Sequence, residues 1–202
     1  MLLFSGYLTI DSEPVNTMCR LRIPNLEVKE IYTSMILDWF ETSIKMGRYR
    51  DLLRYLTVGD VENFSIIFQN FLIASASVFD MPTDPSEKVY HALVLGMLIG
   101  LQDTHEVRSN RESGLGRYDV MGIPKDPKQL AIILEFKKTA SSDTPSLESI
   151  AQEALRQIEE KGYPRELIDR GIKRILCLGL SFKVSKCSYA QSFAEAVHCL
   201  AY

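Results

Sequence analysis

Residues 112–138, ESGLGRYDVMGIPKDPKQLAIILEFKK, constrain this chain more than any other stretch. They hold two runs of β-forming residues separated by a short loop rich in Pro, Lys and Asp. The first run carries Asp119. The second is continuously apolar from Ala131 to Leu134 and ends in Glu135-Phe136-Lys137. Two carboxylates and a lysine at the same end of adjacent strands can hold a divalent cation and activate a water. Strand side chains alternate with period two, so Lys137 shares the face of Glu135 and Lys138 takes the opposite one.

The surrounding sequence predicts a frame for that pair. Residues 2–10 and Met18 to Ile23 read as strands of a hairpin, with a turn at Asp11 to Pro14. From Val28 the apolar residues Ile31, Tyr32, Met35, Ile36, Trp39 and Phe40 fall at helical spacing. A short helix over 49–57 ends at Gly59, and Asp60 caps a further helix to about residue 78. The two prolines in Asp80 to Pro85 mark a linker. A helix over 86–101 follows, capped by Ser86, with Glu87 and His91 on one face. Strands are expected at His105 to Arg111, around Asp119 and at Ala131 to Lys137, with Gly114 and Gly116 at the turn. A loop at Ser141 to Pro145, a helix from Ser146 to Lys161, a turn of helix at 165–170, a strand at Lys173 to Phe182 and a terminal helix over Ala190 to Leu200 complete the chain. From residue 86 the order is helix, three strands, helix, strand. Three neighbouring strands pair antiparallel, and the long helix crosses over to bring the last strand in parallel. The expected fold is α/β: a mixed four-stranded sheet flanked by helices over 86–202, preceded by a β-hairpin plus helical module over 1–80.

Composition narrows the function classes. The net charge is −3, with 8 Lys/Arg against 13 Asp/Glu in residues 1–103 and 15 against 12 in residues 104–186. The basic surplus lies with the candidate site but is small, so unaided affinity for a polyanion is weak. The four cysteines are widely spaced, which indicates neither a zinc framework nor a disulfide scaffold. Reduced thiols, no basic leader and no apolar run of membrane length predict a cytoplasmic protein.

Asp119, the apolar strand and Glu135-Phe136-Lys137 resemble the PD-(D/E)XK nuclease superfamily, whose restriction-endonuclease-like fold has the same element order. More closely, YHALVLGML, SNRESGLGRYDVM, AIILEFKK and AQEALRQIEEKGY resemble the nuclease-like C-terminal domain of bacterial AAA-ATPase-like proteins of unassigned function. No GxxxxGK[ST] loop is present in the sequence itself. The resemblance implies Mg²⁺-dependent (or Mn²⁺-dependent) phosphodiester hydrolysis, with DNA a better match than RNA and an ATPase domain or partner protein to deliver it. Asp119 and Glu135 would be metal ligands, the Phe136 carbonyl a third oxygen, and Glu87 the helical carboxylate. Lys137 would orient or activate the attacking water. His91 resembles the motif histidine of RecB-like nucleases. Gln157, with Tyr163 six residues on, resembles their glutamine-tyrosine motif. Arg111 and Arg117 are candidate phosphate contacts.

Each of these has a plainer reading. The Asp–Lys–Glu group could be a surface ion cluster, Glu87 a first-turn acid favoured by the helix dipole, His91 a packed core residue and Tyr163 an aromatic plug. Glu106 and Glu112 are rivals to Glu87. Two other functions stand beside hydrolysis: a catalytically silent nuclease-fold module that binds nucleic acid or a partner protein, and an interaction surface formed by residues 1–80.

Overall fold

The computed structural model describes residues 2–12, 18–44, 48–78, 86–113, 115–138, 146–183 and 186–195. The chain divides into two units between Trp39 and Phe40. The smaller unit holds strands β1 (Thr9–Ile10) and β2 (Leu21–Arg22), paired antiparallel, and most of helix α1 (Leu26–Ser43). Asn25 caps α1 by accepting the Val28 N–H at 2.9 Å. The strand expected over residues 2–10 is much shorter than that. The Leu2 carbonyl instead accepts from the N–H groups of Tyr7 and Leu8, at 3.0 and 3.2 Å, so this backbone closes on itself as turns.

In the larger unit a five-stranded sheet runs in the order β3 (His105–Ser113), β4 (Gly116–Pro124), β5 (Ala131–Lys138), β6 (Arg174–Lys183), β7 (Lys186–Glu195). Only β5 and β6 pair in parallel; every other neighbour is antiparallel. The crossover between them is α5 (Leu147–Lys161) with α6 (Pro164–Asp169). Ser146 caps α5 through the Ser149 N–H, and Gly162 ends it at φ 65°, the left-handed geometry that spares only glycine a Cβ penalty. The side chains of Ala151, Leu155 and Ile158 bury against Met121, Ala131, Ile133, Ile175 and Cys177 of the sheet.

Helices α3 (Val61–Val78) and α4 (Glu87–Met97, followed by a 3₁₀ turn to Leu101) pack on the other face, and α2 (Arg48–Val58) packs against α3 and the 3₁₀ turn. Phe182 of β6 stacks on Tyr90 of α4, with ring centroids 4.4 Å apart, and meets Phe68 of α3 edge-on. The Tyr49 hydroxyl of α2 donates to the Met97 carbonyl at 2.7 Å. Asp60 caps α3 through the Asn63 N–H.

The expected module over 1–80 places a boundary after α3; the two compact units divide at 39/40, with α2 and α3 inside the larger one. The apolar stripes of these helices need a partner layer: α3 meets the sheet, and α2 meets α3 and the 3₁₀ turn. The linker at 80–85 and the loop at 141–145 lie outside the described residues, as does Gly114. The sheet also has five strands where four are expected. Residues 190–195 are part of β7, paired with β6 from Arg174↔Glu195 to Lys183↔Lys186, where the sequence predicts the start of a terminal helix. The open edge of β6 offers ten residues a full ladder of hydrogen bonds, which outweighs a helical preference in a short Ala-rich segment.

Gly179 marks how closely α5 approaches. A Cβ there would collide with the Ala151 carbonyl oxygen and the Leu155 amide nitrogen, backbone atoms that cannot swing aside. Gly179→Ala should therefore cost about 3 kcal/mol, and lower the thermal midpoint by roughly 5–10 °C, as read by calorimetry.

Candidate metal and catalytic site

Strand β4 pairs with β5 at Val120↔Leu134, Met121↔Ile133 and Gly122↔Ile132, and the backbone ladder stops there. The next position in this register sets Asp119 across from Glu135. The bonding changes at that point: the Phe136 N–H donates to Asp119 Oδ2 at 2.7 Å. A side chain has taken the place of backbone pairing, and the Glu135 carboxyl lies on the α5 side of the sheet.

Helix α5 braces the second strand. Gln157 Nε2 donates a short hydrogen bond to Glu135 Oε1, and Gln157 Oε1 accepts from Lys137 Nζ at 2.7 Å. One amide thus fixes both side chains, which requires them on one face as the strand alternation predicts. Glu153, one turn earlier on α5, lies 4.0 Å from Lys137 Nζ. Tyr163 is buried, and its hydroxyl donates to the Arg117 carbonyl at 2.7 Å, tying the start of β4 to the end of α5.

Helix α4 meets the same region from the opposite face. Glu87 Oε2 accepts from the Lys138 N–H at 3.3 Å. One turn on, His91 Nε2 lies 3.2 Å from the Asp119 carbonyl oxygen, 3.0 Å from Ser109 Oγ and 3.4 Å from Asn110 Nδ2. Its ring sits edge-on to buried Phe136. The hydrogen-bonding contact of His91 with Asp119 is thus at the backbone carbonyl. Asn110 adopts φ 51°, a backbone geometry that asparagine tolerates better than most residues.

The electrostatics are those of crowded negative charge. Glu135 is 3% exposed. Burial first, and then the charge of Asp119, push its pKa up to about 8, while Lys137 pulls the other way. Burial also raises the Asp119 pKa, opposed by the bond from Phe136 and reinforced by Glu87. Glu135 Oε2 is buried and has no hydrogen-bond partner. An orphaned carboxylate oxygen beside a second carboxylate suits a hard cation, and Mg²⁺ takes one or two carboxylates with water and backbone oxygens. Among the described residues no group of three or more His, Cys, Asp and Glu side chains is arranged to hold a metal ion.

Of the other sequence candidates, Arg111 and Arg117 are exposed on β3 and β4. Glu106 is held by Arg108, at 2.8 Å, four register steps from Asp119. Glu112 is exposed opposite Arg117. Neither approaches the acid pair as Glu87 does. Sequence reading missed Ser109, Asn110 and Glu153. Glu153 was within reach, four residues before Gln157 on one helix face; the other two depend on where β3 falls against α4.

No curated protein matches the chain at a significant level. A family model described as the PD-(D/E)XK nuclease superfamily matches residues 85–192, from α4 into β7 and just over half the sequence. The match spans every strand and helix that carries the paired acids, their lysine and the bracing glutamine, and the chain belongs to the PD-(D/E)XK nuclease superfamily.

Proposed function

We propose that this chain hydrolyses phosphodiester bonds in nucleic acid, DNA rather than RNA, with Mg²⁺ or Mn²⁺ at the acid pair. The observation that carries the reading is the buried, unpartnered Glu135 Oε2 beside Asp119, within a family of nucleases. Asp119 and Glu135 would hold the ion, with the Phe136 carbonyl as a third oxygen and Glu87 reaching it through water. When bound, the ion supplies charge neutralisation at the phosphate and a more acidic water. Gln157 holds the Lys137 ammonium on the Glu135 side, where it can orient a water and stabilise developing charge. His91 positions β4 by gripping the Asp119 carbonyl, so its role is placement. Arg111 and Arg117 would steer phosphate towards the pair.

No helix among the described residues is long and apolar enough to cross a membrane, and a cytoplasmic setting is part of this proposal. The small basic surplus favours delivery to substrate by a partner, of which an AAA-ATPase-like domain is the class suggested by the sequence. Titration calorimetry with Mn²⁺ tests the site directly. The parent should bind the ion, and Asp119→Ala should weaken binding at least tenfold while keeping its circular dichroism. A parent that binds no ion and cuts no single- or double-stranded DNA or RNA with any divalent metal would overturn the reading.

A further inference from the structure

The opposite end of β5 carries a second concentration of charge, unrelated to the acid pair. A cavity of about 600 Å³ opens between α2, the 3₁₀ turn and the starts of β5 and β6. Arg50 and Arg54 reach it from α2, Lys128 from the loop before β5, and Arg174 from the first position of β6. Among the described residues no Asp or Glu contributes to its wall. Thr57 and Thr104 add hydroxyls.

Folding does not ask for this convergence. Lys128 and Arg174 are exposed, and Arg174 stands across the β6–β7 ladder from Glu195. Arg50 and Arg54 do have acids behind them, Glu41 at 3.6 Å and Asp51 at 3.2 Å, and these exposed pairs leave donors free. His105 is buried, bonded to Thr104 Oγ1 at 2.9 Å and to the Leu130 carbonyl at 3.0 Å. Four cations from three separate segments therefore face one concave space, a positive lining that a multiply charged anion would complement. The volume is that of a ligand site for one or two nucleotide units.

We propose that this cavity is a second anion site that takes phosphate groups, either consecutive phosphates of a nucleic-acid strand or those of a free nucleotide. Along β5 it lies roughly 20 Å from Lys137, at about 3.3 Å per residue, so it is not part of the acid pair's own chemistry. A strand of several nucleotides bound at both places would be anchored here and held for attack at the other end. A free nucleotide would occupy this end alone.

The test uses the full chain in EDTA, so that it needs neither bound metal nor turnover and succeeds or fails apart from the hydrolysis reading. Binding of a fluorescent 20-nucleotide single-stranded DNA is measured from 50 to 300 mM salt, and binding of ATP is measured separately. The Lys128→Ala/Arg174→Ala variant should bind at least tenfold more weakly. If the strand is the ligand, the slope of log affinity against log salt also drops by about 1.4, the loss of two phosphate contacts at ~0.7 each. Lys128→Glu/Arg174→Glu should weaken binding further. Both changes lie on exposed side chains, and unchanged thermal midpoints verify the fold. Loss of ATP binding alone assigns the site to free nucleotide; loss of strand binding assigns it to nucleic acid. Equal binding of both probes by parent and double variants, or binding of neither by the parent, overturns the proposal.

Discussion

Lys137→Ala should retain divalent-metal binding and lose cleavage by roughly a hundred- to a thousandfold, whereas Glu135→Ala should lose both. The two residues act differently because their contacts differ. Glu135 presents a buried carboxylate with one oxygen unpartnered, so its removal would take away a proposed ligand. Lys137 offers only a cation, held in place by Gln157 at 2.7 Å. Its loss would leave the acid pair intact but remove positive charge where the proposed hydrolysis builds negative charge. Parallel Mn²⁺ titration and single-turnover cleavage of a labelled duplex separate the outcomes. Gln157→Ala provides the intermediate case: Lys137 is present but unanchored, so the rate falls while the metal affinity changes little. If Lys137→Ala cleaved at the parent rate, the ammonium would have no part in the chemistry.

The second large effect is on stability and needs no substrate. The Glu135 pKa rises from an ordinary 4.5 to about 8 on folding. A raised acid pKa means the folded state holds its proton more tightly than the unfolded chain. Its contribution is complete below pH 4.5 and is lost as pH climbs through 8. Asp119, raised for the same reason of burial, adds in the same direction. His105 is shifted the other way, its pKa lowered by burial, and therefore titrates only on the acid side of neutrality. Between pH 7 and 8.5 the carboxyl pair dominates. Metal-free protein should lose about 1 kcal/mol over that range, a fall of roughly 3 °C in thermal midpoint. Glu135→Gln removes the titrating charge. It should raise the metal-free midpoint at pH 8.5 by roughly 5 °C, after the cost of burying an amide N–H. Excess Mg²⁺ should stabilise the parent at that pH and leave the Gln variant where it was. A parent whose metal-free midpoint rises with pH across this window would show that Glu135 is ionised without difficulty.

Much of the larger unit was legible because local patterns carry it. The apolar run Ala131 to Leu134, the period-two placement of Glu135 and Lys137, the Ser146 cap and the stripe along α5 are each set by neighbours in sequence. β7 was not legible, since Ala190 to Glu195 has no strong preference and the ladder on β6 decides for it. The attachment of α2 and α3 was hidden for a similar reason: a stripe shows that a helix must be covered, not what covers it.

The sequence by itself determined which side chains could do chemistry, two acids and a lysine on successive strands, because strand alternation and an apolar run are local properties. Tertiary structure alone decided how they are held. It brought Gln157 between Glu135 and Lys137 and moved the Phe136 N–H from the ladder to Asp119. It also set His91 on a backbone carbonyl and buried a carboxylate oxygen with nothing to bond. These contacts join residues 17 to 28 positions apart: the pairing of β4 with β5 makes one, and the packing of α4 and α5 on the sheet makes the others.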